Sequence, residues 1–285
     1  MSDKKTKEYY EQIKMKYKQD YNDSTVISVI KFLNSKWREV IYTDFEKNIK
    51  LFSITQLVNS NTITILIDCF LCEDKKLINE WEDFMKFFYN ETMFYYFGWQ
   101  SLEKDILKNK NFEEIKKESK NIIDAFNRAK LCGKILAYIL ISSKFFKDFQ
   151  INLVGYSLGN VVLKHCIKEL AKLHRIDKNN FVNLKNVILI AAATHIKKSR
   201  KMERIFEEII INKFINCYSK NDFILEYLYK ICSKEKAIGN DNLIINNNNS
   251  SNLVSNYDFT KDNYGHFSYK FRIVAEKIFN PYKDI

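Results

Sequence analysis

Five residues, Gly155-Tyr156-Ser157-Leu158-Gly159, constrain this chain more than any other stretch. They join an apolar run, Ile151 to Val154, to a segment of helical periodicity, Val161 to Leu173. A serine between two glycines at such a junction fits a strand–turn–helix so tight that the serine backbone is strained. The chain then passes so close on either side that a Cβ would clash. The chain has only 6 glycines in 285 residues, so two of them bracketing a serine is a demanding arrangement. The geometry it predicts is a serine hydroxyl held above the edge of a sheet, with the backbone N–H of Leu158 aimed where negative charge would develop on a reacting carbonyl.

The surrounding sequence supplies the context such a turn needs. Ile63 to Asp68 is a β-branched run, the pattern of a strand buried on both faces. Leu77–Tyr89 reads as a helix, Met93–Trp99 as an aromatic strand, and Phe112–Phe146 as mostly helical. After the serine, strands over Asn186–Ala193, Lys213–Tyr218 and Leu253–Phe259 alternate with helices over Ser199–Ile210, Asp222–Ile231 and Ser268–Phe279. Alternation without a linker predicts one α/β domain with a mostly parallel sheet flanked by helices, over residues 56–285. Residues 1–55 read as a helical segment packed on that core or serving as a partner-binding arm. There Tyr9, Tyr10, Ile13, Tyr17 and Tyr21 recur at helical spacing.

Composition narrows the class. With 46% hydrophobic and 15% aromatic residues the chain can bury a full core and is not of the disordered type. The six cysteines lie mostly in apolar runs, and Cys69-x-x-Cys72 has no second pair to complete a zinc site, so neither metal nor cofactor is expected. The start, Met1-Ser2-Asp3-Lys4-Lys5, has no apolar signal core, and no apolar run reaches the roughly 18 residues of a membrane span. These features predict a cytoplasmic chain, either free or peripheral to a membrane. The net charge of +11 is spread along the sequence. It fits a lysine-rich solvated surface or attraction to an anionic membrane; no nucleic-acid motif accompanies it.

A serine nucleophile needs a base and a group to orient that base. In the α/β-hydrolase arrangement these follow in the order Ser, acid, His, each in a loop at the carboxyl end of a strand. His165 and His174 lie on the elbow helix, and His195 precedes any credible acid, whereas His266 follows the last strand and a glycine. The strand ending at Tyr218 leads into Ser219-Lys220-Asn221-Asp222, which makes Asp222 the expected acid; Asp258 and Asp262 are rivals, and Asp222 also has the character of a helix cap. A second oxyanion donor is expected from the loop after the early strand, at Cys69 or Phe70, with Asp68 read as a loop cap.

The blocks Gly-Tyr-Ser-Leu-Gly, Val187-Ile-Leu-Ile-Ala-Ala-Ala, Tyr218-Ser-Lys-Asn-Asp222 and Gly265-His266-Phe-Ser-Tyr269, in this order, resemble the transmembrane-and-coiled-coil-domain family of eukaryotic α/β-hydrolase-like proteins of unknown function. The likeness covers roughly residues 60 to 280. It implies an α/β-hydrolase fold and a lipase- or esterase-like activity, and it maps the triad onto Ser157, Asp222 and His266. Two features depart from that family: Cys69 stands where its members carry glycine, and Ile122–Phe146 holds only a short apolar run, so membrane insertion does not carry over.

The expected activity is therefore cleavage of a small acyl ester, thioester or lipid by a serine hydrolase. An acyltransferase with the same triad, or a non-catalytic scaffold binding a membrane or protein, would use the same fold. The aromatic segment Phe84–Trp99 is expected mainly in the core, with an acyl-pocket lining as its functional alternative.

Overall fold

The computed structural model describes residues 49–53, 60–68, 75–87, 91–99, 119–179, 181–196, 200–233, 235–244, 253–262 and 265–279. Seven strands form one sheet: β1 (Lys50–Ser53), β2 (Thr62–Ile67), β3 (Met93–Gly98), β4 (Gln150–Tyr156), β5 (Leu184–Ile190), β6 (Ile210–Tyr218) and β7 (Val254–Asp258). Their spatial order is β1-β3-β2-β4-β5-β6-β7. All neighbours are parallel except β1, which pairs antiparallel with β3 at the edge. The helices are α1 (Lys75–Phe87), α2 (Ser119–Ser142), α3 (Lys144–Lys147), α4 (Gly159–Ile176), α5 (Arg200–Ile209), α6 (Phe223–Cys232) and α7 (Phe271–Phe279).

Period-two alternation divides the sheet's side chains between two cores. Ile63, Ile65, Leu153, Val187, Leu189 and Phe214 point to the side covered by α2, α4 and α5. Leu66, Phe94, Val154, Tyr156, Ile188 and Cys217 point to the side covered by α1 and α7. Because both faces are covered, the central strands are apolar almost throughout, as the sequence of β2 anticipated. Helix α2 reaches α4 closely through small residues: a Cβ at Gly133 would lie 2.2 Å from the Val162 carbonyl oxygen. Toward the amino ends of the strands the α1/α7 side becomes polar. A ladder runs from Asn212 Nδ2 to Asn186 (2.9 Å), from Asn186 Nδ2 to Asn152 (2.9 Å), and from Asn152 Nδ2 to Thr64 Oγ1 (3.1 Å). It pairs amides across neighbouring strands and so opposes register slip.

Each strand and helix expected from Asn61 onward has a counterpart among the described residues; residues 112–118 of the long expected helix lie outside them. The short strand β1 was not expected, and it adds an antiparallel edge to the sheet. In the aromatic segment Phe84, Phe94, Tyr95, Phe97 and Trp99 are buried core residues, and Phe87 and Tyr96 are half-buried against them. Residues 1–48, which hold the expected N-terminal helices, lie outside the described residues, as do Cys69, Phe70 and Cys72.

The chain order β2, β3, β4 places β3 on one side of β2 and β4 on the other. Connections leave β2 and β4 in opposite directions, which opens a crevice at their carboxyl ends, the usual position of a site in an open parallel sheet. Ser157 is the residue immediately beyond β4.

Candidate active site

Ser157 occupies the turn between β4 and α4 with φ of 52°, a left-handed conformation that costs an L-residue about 1–3 kcal/mol. Backbone and side-chain bonds hold it there. Its N–H donates to the Ile190 carbonyl (3.0 Å), and its own carbonyl accepts from Asn160 N (3.1 Å) and Ala193 N (3.1 Å). The buried Asn160 amide donates to both the Ser157 and Ile190 carbonyls, at 3.2 and 3.0 Å. Neither glycine of the motif has a positive φ, so each is required for space. A Cβ on Gly155 would stand 2.5 Å from Asn160 Oδ1. One on Gly159 would stand 2.3 Å from the Ile67 carbonyl oxygen and 2.6 Å from that of Asp68. The end of β2 therefore presses against the first residue of α4, beside Leu158, and Trp99 Nε1 donates to the Asp68 carbonyl at 3.1 Å.

His266 meets the serine: Nε2 lies 2.6 Å from Ser157 Oγ. On its other side Nδ1 lies 2.8 Å from Asp222 Oδ2. A carboxylate only accepts hydrogen bonds, so the proton sits on Nδ1 and the Nε2 lone pair faces the serine hydroxyl. All three side chains are buried, with Asp222 wholly so. Tyr156, the residue before Ser157, also reaches His266. Its hydroxyl donates to the His266 carbonyl, and its ring stacks on the imidazole at 5.8 Å between centroids. The Phe267 ring meets the same imidazole edge-on at 5.1 Å.

Asp222 serves two partners at once. Oδ2 faces His266, while Oδ1 accepts from Leu225 N at 3.0 Å and so caps α6. One carboxylate thus both caps the helix and faces the histidine. Its backbone is tied by Asn240, whose amide donates to the Asp222 carbonyl at 2.8 Å. Asn240 closes a short 3-10 turn, Ile238–Asn240, which packs under the end of β5; a Cβ on Gly239 would come within 2.3 Å of Ala192 N. The rival acids are engaged elsewhere. Asp258 accepts from Tyr218 Oη (3.1 Å) and Thr260 N (2.8 Å), and Asp262 pairs with Lys277 at 3.7 Å. Burial pushes the Asp258 carboxyl up, but the bonds from Thr260 and Tyr218 outweigh it and hold the group below its ordinary value.

The other three histidines lie apart from Ser157. His195 Nδ1 bonds Tyr229 Oη. The His174 ring packs on Phe181. His165 is pushed down to about 3 by burial and by the charges of Lys164, Lys168, Lys130 and Lys134. Of the expected oxyanion donors, Leu158 follows Ser157 at the start of α4; Cys69 and Phe70 lie outside the described residues. Sequence reasoning missed Asn160, Asn240 and the hydroxyl of Tyr156. Asn160 alone left a trace, as a polar residue in the first turn of an otherwise apolar helix face.

A parallel sheet with a strained serine at its topological switch point, and helices on both faces, defines an α/β-hydrolase fold. Within that class, residues 116–281 match the model of a family described as "Protein of unknown function (DUF726)", and the chain belongs to this family. It is 33% identical over 110 residues to the uncharacterized membrane protein C6F6.13c of Schizosaccharomyces pombe, covering 39% of this chain and 13% of that protein. It is 28% identical over 148 residues to the probable lipase MIL1 of Saccharomyces cerevisiae, covering 51% of this chain and 13% of that protein. It is 28% identical over 106 residues to the transmembrane and coiled-coil domain-containing protein STS1 of rice, covering 37% of this chain and 15% of that protein, in line with the resemblance read from the motifs. The chain thus spans a small part of the length of the curated relatives it matches. Among solved structures, the esterase Pf2001 of Pyrococcus furiosus aligns over 82% of this chain and 85% of its own, at 12% identity and a TM-score of 0.40. Among the described residues no helix is long and apolar enough to cross a membrane.

Proposed function

We propose that this chain is a serine hydrolase that cleaves a carboxylic ester or thioester through an acyl-enzyme. The observation that carries the reading is the unbroken relay from Ser157 Oγ to His266 Nε2 (2.6 Å) and from His266 Nδ1 to Asp222 Oδ2 (2.8 Å). In the proposed reaction Ser157 Oγ attacks the acyl carbonyl while Nε2 takes its proton. The imidazolium that forms is stabilised by Asp222, and the oxyanion is held by the N–H of Leu158 and a second donor from the loop after β2, at Cys69 or Phe70. Collapse of the tetrahedral adduct expels the alcohol or thiol, which receives the proton from Nε2. Water, deprotonated by the same nitrogen, then releases the acid and restores the serine. A lipid ester is the proposed substrate class, supported by the yeast relative named a probable lipase.

The test is labelling with a fluorophosphonate probe, which phosphonylates an activated serine. Wild-type protein is expected to label, and Ser157→Ala and His266→Ala are expected not to. Labelling that persists in Ser157→Ala would remove the nucleophile assignment.

A further inference from the structure

The loops following β6 and β7 carry exposed aromatic side chains beside the candidate site. Phe223, next to Asp222, is 64% exposed, and Phe267, next to His266, is 58% exposed. Tyr227, one turn along α6 from Phe223, is 48% exposed. Because β6 and β7 are adjacent and parallel, both loops emerge at the same edge of the sheet as Ser157. They are stitched together: Lys220 N donates to Thr260 Oγ1 at 3.0 Å, and Asn221 Nδ2 to the Thr260 carbonyl at 3.1 Å. Phe223, Phe267 and Tyr227 are the three most exposed aromatic side chains among the described residues, and they gather on the two stitched loops and the first turns of α6 rather than being scattered.

The charges of this edge indicate what it meets. Lys220, Lys261 and Lys270 are exposed and form no ion pair among the described residues. Of the acidic groups nearby, Asp262 pairs with Lys277 and Glu226 with Lys230, while Asp258, bonded by the neutral donors Tyr218 and Thr260, keeps its charge and offsets one of the three lysines. The edge thus offers aromatic side chains able to enter an acyl–headgroup boundary, beside three exposed lysines that form no close ion pair among the described residues, of which Lys220 also feels the Asp258 and Asp241 carboxylates.

We propose that this edge docks on an anionic lipid surface, with Phe223 and Phe267 entering the boundary and Lys220, Lys261 and Lys270 meeting the headgroups. This deepens the hydrolase reading by naming the phase that would present the substrate, yet binding involves no chemical step and is tested apart from catalysis. Each lysine near an anionic surface contributes about fivefold in affinity, so three together contribute on the order of a hundredfold.

The experiment is co-sedimentation of the full chain with phosphatidylcholine vesicles, with and without phosphatidylserine. The wild-type chain and Ser157→Ala are expected to bind only the vesicles containing phosphatidylserine, and less at high salt. Lys220→Glu/Lys261→Glu/Lys270→Glu is expected to lose that binding, and Phe223→Ser/Phe267→Ser to weaken it. A control with the same charge change at the opposite edge, Lys147→Glu/Lys178→Glu/Lys185→Glu, is expected to bind like wild type. Far-UV circular dichroism checks that each variant is folded. Equal loss in both lysine variants would reduce the effect to net charge and overturn the proposal. Binding regardless of phosphatidylserine, or sedimentation without vesicles through self-association, would overturn it as well. Failure of fluorophosphonate labelling would strike the hydrolase reading and leave these outcomes intact.

Discussion

Replacing Tyr156 with phenylalanine removes one oxygen from the support of His266 and leaves the ring in place. Tyr156 is buried, its hydroxyl donates to the His266 carbonyl, and its ring stacks on the imidazole and meets Phe271 at 5.1 Å. The phenylalanine ring keeps those contacts and opens almost no cavity, so the cost comes from a buried carbonyl left without its donor, about 1–3 kcal/mol. For a chain of this size the melting temperature should fall by roughly 2–4 °C per kcal/mol. If the bond also fixes the pose of the imidazole, the labelling rate of Ser157 falls about tenfold for each ~1.4 kcal/mol withheld from the transition state. Thermal melting and the second-order rate of fluorophosphonate labelling, on wild type, Tyr156→Phe and Tyr156→Leu, measure the two effects. Tyr156→Leu, which also loses the stacked ring, should be worse on both. If Tyr156→Phe melts and labels like wild type, the argument that this hydroxyl holds the base loop is refuted.

Asp222→Asn keeps an oxygen able to cap α6 but no longer accepts the Nδ1 proton. Labelling should fall on the order of 10⁴-fold with little change in melting, whereas Asp222→Ala should lose a further ~1 kcal/mol of stability with the cap. Gly159→Ala puts a methyl 2.3 Å from the Ile67 carbonyl oxygen and should cost about 1–3 kcal/mol in urea unfolding; a melt equal to wild type would deny the close approach of β2 to α4. His165 binds a proton only near pH 3 in the folded chain, against 6.5 ordinarily, so the unfolded chain is the more protonated between those values. Its contribution to stability is present above pH 6.5 and is lost as pH falls toward 3, and His165→Gln should flatten that part of a urea-unfolding series.

The fold from β2 onward was legible because each strand is a short β-branched or aromatic run and each helix repeats its apolar positions every three or four residues. Ile63–Ile67 and Val161–Leu173 are clear cases. β1 was not legible: Lys-Leu-Phe-Ser is too short to carry a period, and its conformation comes from pairing with Met93–Gly98. Ser157, Asp222 and His266 could be picked out because a parallel sheet delivers the loop after every strand to one edge, so chain order alone nominates them. Their supports were hidden because they act across sequence. The Tyr156 hydroxyl reaches a carbonyl 110 residues away, and Asn160 an oxygen 30 residues away. The expectation of a second oxyanion donor at Cys69 or Phe70 rests on the same rule of chain order, without a nearby pattern to fix which N–H would face the serine; both residues lie outside the described residues.

The two bonds of Asp222 bear on how descent is read from related chains. A lineage that abandoned chemistry would be free to drift at Ser157 and His266. It would still be selected to keep a capping residue at this position, aspartate among them, because α6 starts there. An aspartate retained at this point is therefore a poor witness to enzymatic activity among relatives. The informative comparison is whether serine and histidine are lost together while the aspartate stays, which would mark a branch that kept the scaffold and gave up the reaction.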